Sequence, residues 1–115
     1  SILLLHRIKN DRYEMPGGKQ EPNESLEETA HRELREEIGC EVTILRKLGQ
    51  DQFVENGREF EYHWFLAQIQ GEKDPSILES QTFSKLEYVP FSKIENYSLS
   101  NNMCQFWKFW NQQRN

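Results

Sequence analysis

Long apolar runs are missing from this chain. No stretch approaches the ~18 residues that a membrane-spanning helix needs, and no signal peptide is visible. Cysteine is scarce: Cys40 and Cys104 are the two present, and they show no metal-ligand spacing. That leaves two reduced, buried thiols and fits a cytoplasmic location. Internal repeats, low-complexity tracts and linkers are also absent, so the chain reads as one domain. Positive charge is outweighed. A net charge of −5 and a pI near 5.2 argue against general binding to a nucleic-acid backbone. A phosphorylated small molecule remains open as a ligand, because bound metal can reverse the local field. Hydrophobic residues make up only 36%, but the 12% that are aromatic each bury a large area. With 115 residues there is room for one small core and not for two.

What is present concentrates between Gly18 and Cys40, GKQEPNESLEETAHRELREEIGC. Pro16-Gly17-Gly18 breaks regular structure, and its glycines let backbone approach a ligand closely. Ser25 with Glu28 three residues on fits a capping box, and Gly39 is placed to end the helix that Leu26 to Ile38 would form. At helical spacing Leu26, Ala30, Leu34 and Ile38 make one apolar stripe. Glu33 and Glu37 fall along one edge of that stripe with Glu36 just beyond, Arg32 flanks them, and Arg35 points the other way. Like charges at this spacing repel, each pair by a few tenths of a kcal/mol, and the helix C-terminus disfavours them further. A solvated acidic face is the plain alternative. A hard divalent cation such as Mg²⁺ or Mn²⁺ would relieve both penalties.

These residues resemble the Nudix box, G-x5-E-x7-R-E-U-x-E-E-x-G-U with U a bulky aliphatic residue. Gly18, Glu24, Arg32, Glu33, Glu36, Glu37 and Gly39 fill its fixed positions and Leu34 its first U. Cys40 fills the last U and is smaller than usual there. The resemblance implies a Nudix-type α/β/α sandwich, an α+β fold with a mixed sheet flanked by the box helix and a C-terminal helix. It implies hydrolysis of a nucleoside diphosphate linked to another group, with water attacking the pyrophosphate bridge and Mg²⁺ or Mn²⁺ as cofactor. Glu33, Glu36 and Glu37 are then the metal ligands, joined by the carbonyl of Gly17. Arg32 and Glu24 hold those carboxylates in place. A box acid, or Glu79 (alternatively Glu87) from a later loop, accepts the water's proton.

The rest of the chain supports that layout. Ile2 to Arg7 reads as a buried strand, with His6 a strand-end residue, and Tyr13 to Met15 as a short extended piece. Glu41 to Leu48 is strand-like, and Asn56-Gly57 marks a hairpin returning through Glu59 to Ile69. On that return strand Phe60, Tyr62, Trp64 and Leu66 share a face, suited to core packing or to base stacking. Gly71 to Lys85 reads as loop, Leu86 to Val89 as a last strand, and Ser92 to Asn96 as a helical turn. Met103, Phe106, Trp107 and Trp110 give a C-terminal helix between Ser100 and Gln112, packed on the sheet or hiding a dimer interface. Ser1 runs straight into apolar sequence without an initiator Met. The domain, 1–115, is therefore expected to be an excised core whose preceding strand is missing.

Substrate choice is less legible. The markers of the ADP-ribose and diadenosine polyphosphate branches are absent near positions 55 to 58. The expectation is a MutT-like nucleoside triphosphate pyrophosphatase, with ADP-ribose or a nucleotide sugar second. A non-catalytic module binding nucleotide or RNA is the reading from another class.

Overall fold

In the computed structural model, residues 1–113 are described. The elements run β1 (Ile2–Arg7), β2 (Arg12–Glu14), α1 (Leu26–Ile38), β3 (Val42–Glu55), β4 (Arg58–Ile69), β5 (Phe83–Val89), a 3₁₀ turn (Phe91–Asn96) and α2 (Asn101–Gln113). This is the expected α+β fold. Its strands form two antiparallel sheets, ordered β2-β1-β5 and β3-β4. The expected mixed sheet thus resolves into antiparallel pairs, and parallel pairing is confined to a bridge between Tyr13 and Leu99.

β1 explains the layering. Leu4 and Leu5 are both fully buried although neighbouring strand residues point to opposite faces. Leu4 packs with Trp64, Val89, Ile94, Leu99, Met103 and Phe106, the core beneath α2. Leu5 packs with Ile38, Cys40 and Phe83, the core beneath α1. Each fully buried side chain of this size contributes roughly 1.5–3 kcal/mol. Cys40, the small residue at the motif's last aliphatic position, is 1% exposed and fills that second core.

Local signals set most boundaries. Both halves of the capping box form: Glu28 N–H donates to Ser25 Oγ (3.1 Å) and Ser25 N–H to Glu28 Oε1 (3.0 Å). Gly39 closes α1 at φ 70°, a left-handed angle that favours glycine. Asn56 and Gly57, at φ 54° and 76°, make the hairpin turn.

Three expectations need correction. Phe83 to Lys85 belong to β5 and not to a loop, because Phe83 is 1% exposed and pairs with Arg7 across β1. β3 continues from Val42 to Glu55 as one strand, held along its length by β4. The face of β4 shared by Phe60, Tyr62, Trp64 and Leu66 is not buried throughout: Trp64 is 4% exposed while Leu66 stays 40% exposed, where two register shifts leave Leu45 and Leu48 as extra residues on β3. No helix among the described residues is long and apolar enough to cross a membrane.

Candidate active site

α1 presents more charge to the interior than its apolar stripe suggests. Ile38 is buried, but so are Thr29 and Glu37, while Leu26, Ala30 and Leu34 are only half-buried. The glycine loop and the segment after β4 cover this side. Gly17 N–H donates to Glu37 Oε1 (2.8 Å), and Leu78 N–H donates to the Glu37 carbonyl (3.1 Å). Glu37 is left 3% exposed. Burial pushes its pKa up to about 8, with the Gly17 hydrogen bond opposing and the charges of Glu33, Glu14 and Glu79 adding to the rise.

On one flank stands Arg32. Its guanidinium donates to both oxygens of Glu24 (2.7 and 3.0 Å), to Glu33 (2.8 Å), weakly to Glu36 (3.4 Å), and to the Lys19 carbonyl (3.0 Å). Glu24 also accepts from Thr29 Oγ1 (2.7 Å) and Glu21 N–H (3.0 Å). Arg32 first, then these donors, hold its carboxyl down at about 2. The unit ties the glycine loop to the helix and fixes the Glu33 carboxylate. Gly18 completes the cradle, since a Cβ there would lie 2.3 Å from the Glu33 carboxyl carbon. Glu36 is half exposed at the rim.

The other flank was not anticipated. Arg7 donates to both oxygens of Glu14 (2.5 and 3.0 Å), and its guanidinium lies 5.0 Å from the centre of the Phe83 ring. β1 pairs Leu5 with Glu14, so Arg7 and Glu14 are diagonal cross-strand neighbours, a relation visible in sequence only once the hairpin register is known. Glu79 is exposed, but its charge reaches both Glu37 and Arg7. Glu87 instead faces the Tyr97 hydroxyl (3.5 Å), beside the other core.

Among the described residues no three acidic, His or Cys side chains converge as a ready-made metal site. Each box carboxylate is held by a protein donor: Glu37 by the Gly17 amide, Glu33 and Glu36 by Arg32. The donor set nevertheless suits a hard divalent cation. It offers carboxylate oxygens, one of them on a buried acid whose charged form is disfavoured by burial and by its acidic neighbours.

Fold and site define an α+β domain built around a glycine turn and an acidic helix. The NUDIX domain family model matches residues 1–106, and the chain belongs to the Nudix family. It is 38% identical over 75 residues to the CTP pyrophosphohydrolase of Escherichia coli strain K12, covering 61% of this chain and 56% of that protein. It is 51% identical over 47 residues to a Bacillus subtilis strain 168 protein provisionally named 8-oxo-dGTP diphosphatase YtkD, covering 41% of this chain and 30% of that one. The chain thus spans well under two thirds of either relative. The crystal structure of a MutT protein from Methanosarcina mazei Go1 superimposes with a TM-score of 0.80 at 25% identity, covering 97% of this chain and 83% of that one.

Proposed function

We propose that this chain is a divalent-cation-dependent pyrophosphohydrolase of the MutT-like kind, cleaving a nucleoside triphosphate at its pyrophosphate linkage. One observation carries the reading: Glu37, 3% exposed, stands among Glu33, Glu14 and Glu79 with a single backbone amide for its carboxylate. The names of the two curated relatives, one tied to CTP and one to an oxidised purine nucleotide, support a nucleoside triphosphate as substrate.

Glu33, Glu36 and Glu37, with the Gly17 carbonyl, would hold Mg²⁺ or Mn²⁺. When bound, the cation neutralises the clustered phosphate charge, polarises phosphoryl oxygens and lowers the pKa of coordinated water. The protein's own part is positional. Glu24 and Arg32 keep Glu33 and the glycine loop in register, so the ligand oxygens need little reorganisation. Glu79, exposed beside the cluster, takes the proton released as water attacks phosphorus.

The test is product release from a panel with Mg²⁺: canonical and oxidised nucleoside triphosphates, ADP-ribose, nucleotide sugars and diadenosine polyphosphates. Turnover of a triphosphate that disappears in Glu37→Gln is the expected result. Turnover that survives in that variant removes the site assignment, and preference for ADP-ribose or a sugar nucleotide removes the substrate assignment.

A further inference from the structure

Arg7 owes its place to a local irregularity. Along β1 and β5 the register runs Leu5 with Leu86 and His6 with Lys85, then jumps to Arg7 with Phe83. Ser84 is the extra residue, a β-bulge in β5 next to the acidic centre. Bulges at such positions re-aim side chains. Here the bulge brings Arg7 opposite Phe83, whose ring the guanidinium overlies at 5.0 Å.

His6 locks the bulge. Its Nδ1 lies 2.6 Å from Ser84 Oγ and its Nε2 lies 2.5 Å from Asp11 Oδ1. One tautomer satisfies both contacts: Nε2–H donates to Asp11, and Nδ1 accepts from the serine hydroxyl. The imidazole therefore ties the bulged residue to the β1–β2 turn. That turn also sets the diagonal placement of Glu14 against Arg7. The arrangement has the Ser–His–Asp order of a nucleophilic triad. Asp11 is 91% exposed, and Ser84 sits on the open surface of a strand, so a bracing role fits better than nucleophilic catalysis.

We infer that Arg7 is a positioning residue of the acidic centre, aimed by the His6–Ser84 bulge, holding Glu14 beside Glu37 and offsetting its negative charge. The centre then has two arginine braces. Arg32 orders the box carboxylates, and Arg7 caps how negative their surroundings become before a cation binds. This inference rests on the reading of Glu33, Glu36 and Glu37 as a cation site.

The charge argument predicts opposite signs for two neighbouring substitutions. Arg7→Met leaves Glu14 without its partner, so Mn²⁺ should bind about tenfold more tightly. Glu14→Gln leaves Arg7 unpaired near the cation, so Mn²⁺ should bind about tenfold more weakly. The double variant restores the net charge and should return to within about twofold of wild type, the two opposite shifts adding to nearly zero as a through-space charge effect requires. Ser84→Ala, which loosens the bulge, should shift affinity in the Arg7→Met direction by a smaller factor.

The experiment is calorimetric Mn²⁺ titration of folded wild type, both single variants, the double variant, Ser84→Ala and Glu37→Gln. Opposite shifts that cancel in the double variant support the inference. If both single variants bind Mn²⁺ more weakly, or neither changes, Arg7 is only structural and the inference fails while the cation site stands. If wild type binds no more Mn²⁺ than Glu37→Gln, the cation-site reading itself fails and takes this inference with it.

Discussion

The two helices are of equal length, 13 residues each, and are stabilised in opposite ways. α2 buries Met103 and Phe106, and its Phe109 ring fills the space above Gly49, where a Cβ would come within 2.3 Å of it. Its stability is packing. α1 buries Thr29, Glu37 and Ile38, and is secured by a capping box, a glycine cap and the Arg32 network. The difference teaches that one face of a small domain supplies the folding free energy that the other face, carrying buried charge, consumes.

Substitutions in the two helices should separate those roles. Phe106→Ala, at a side chain 4% exposed, should cost about 3–5 kcal/mol of stability in denaturant unfolding. Cation affinity of the fraction that remains folded should be unchanged; a coupled loss of affinity would show that the helices are not independent.

Glu37→Gln should act in the reverse direction. The folded-state pKa of Glu37 lies near 8, above its ordinary 4.5. Between those values the folded protein holds a proton that the unfolded chain has released, so the acid's burial costs nothing below pH 4.5 and its full amount above pH 8. Metal-free wild type should therefore lose stability as pH rises across that window, by about 5 kcal/mol in all. The Gln variant should lack this slope. Glu24 contributes with the opposite sign: its pKa is held at about 2, so the stability it supplies above 4.5 is lost as pH falls toward that value. Metal-free stability should peak near pH 4–5; a maximum at pH 8 in chelator would contradict the Glu37 assignment, and no loss on acidification below pH 4 would contradict the Glu24 one.

Gly49→Ala should cost about 1–3 kcal/mol by pushing Phe109 off its seat. Ser25→Ala, removing half of the capping box, should cost about 1 kcal/mol. A thermal-shift series would rank these two below Phe106→Ala; equal effects would mean that α1 depends on its cap as heavily as α2 depends on its core.

What could be read from sequence was what is locally encoded. The limits of α1 follow from Ser25, Glu28 and Gly39, and those of β1 from an unbroken apolar run. The box spacing groups Glu24, Arg32, Glu33, Glu36 and Glu37 because all but Glu24 share one helix and Glu24 directly precedes its cap. Three features depended on distant chain. Phe83 became strand through its pairing with Arg7, and a bulge cannot be seen before the pairing is known. The depth of Glu37 depends on Gly17 and Leu78 closing over it, whereas helical periodicity alone puts it at the stripe's edge. Arg7 and Glu14 are joined by the register of a hairpin that composition does not mark.

The most direct test of the central claim, that buried Glu37 anchors a cation site, is the melting temperature of wild type and Glu37→Gln at pH 8, each in chelator and in excess Mn²⁺. The account predicts that the variant melts higher than wild type in chelator and that Mn²⁺ raises the melting temperature of wild type alone. Equal Mn²⁺ responses in the two proteins, or a variant less stable than wild type without metal, would contradict it.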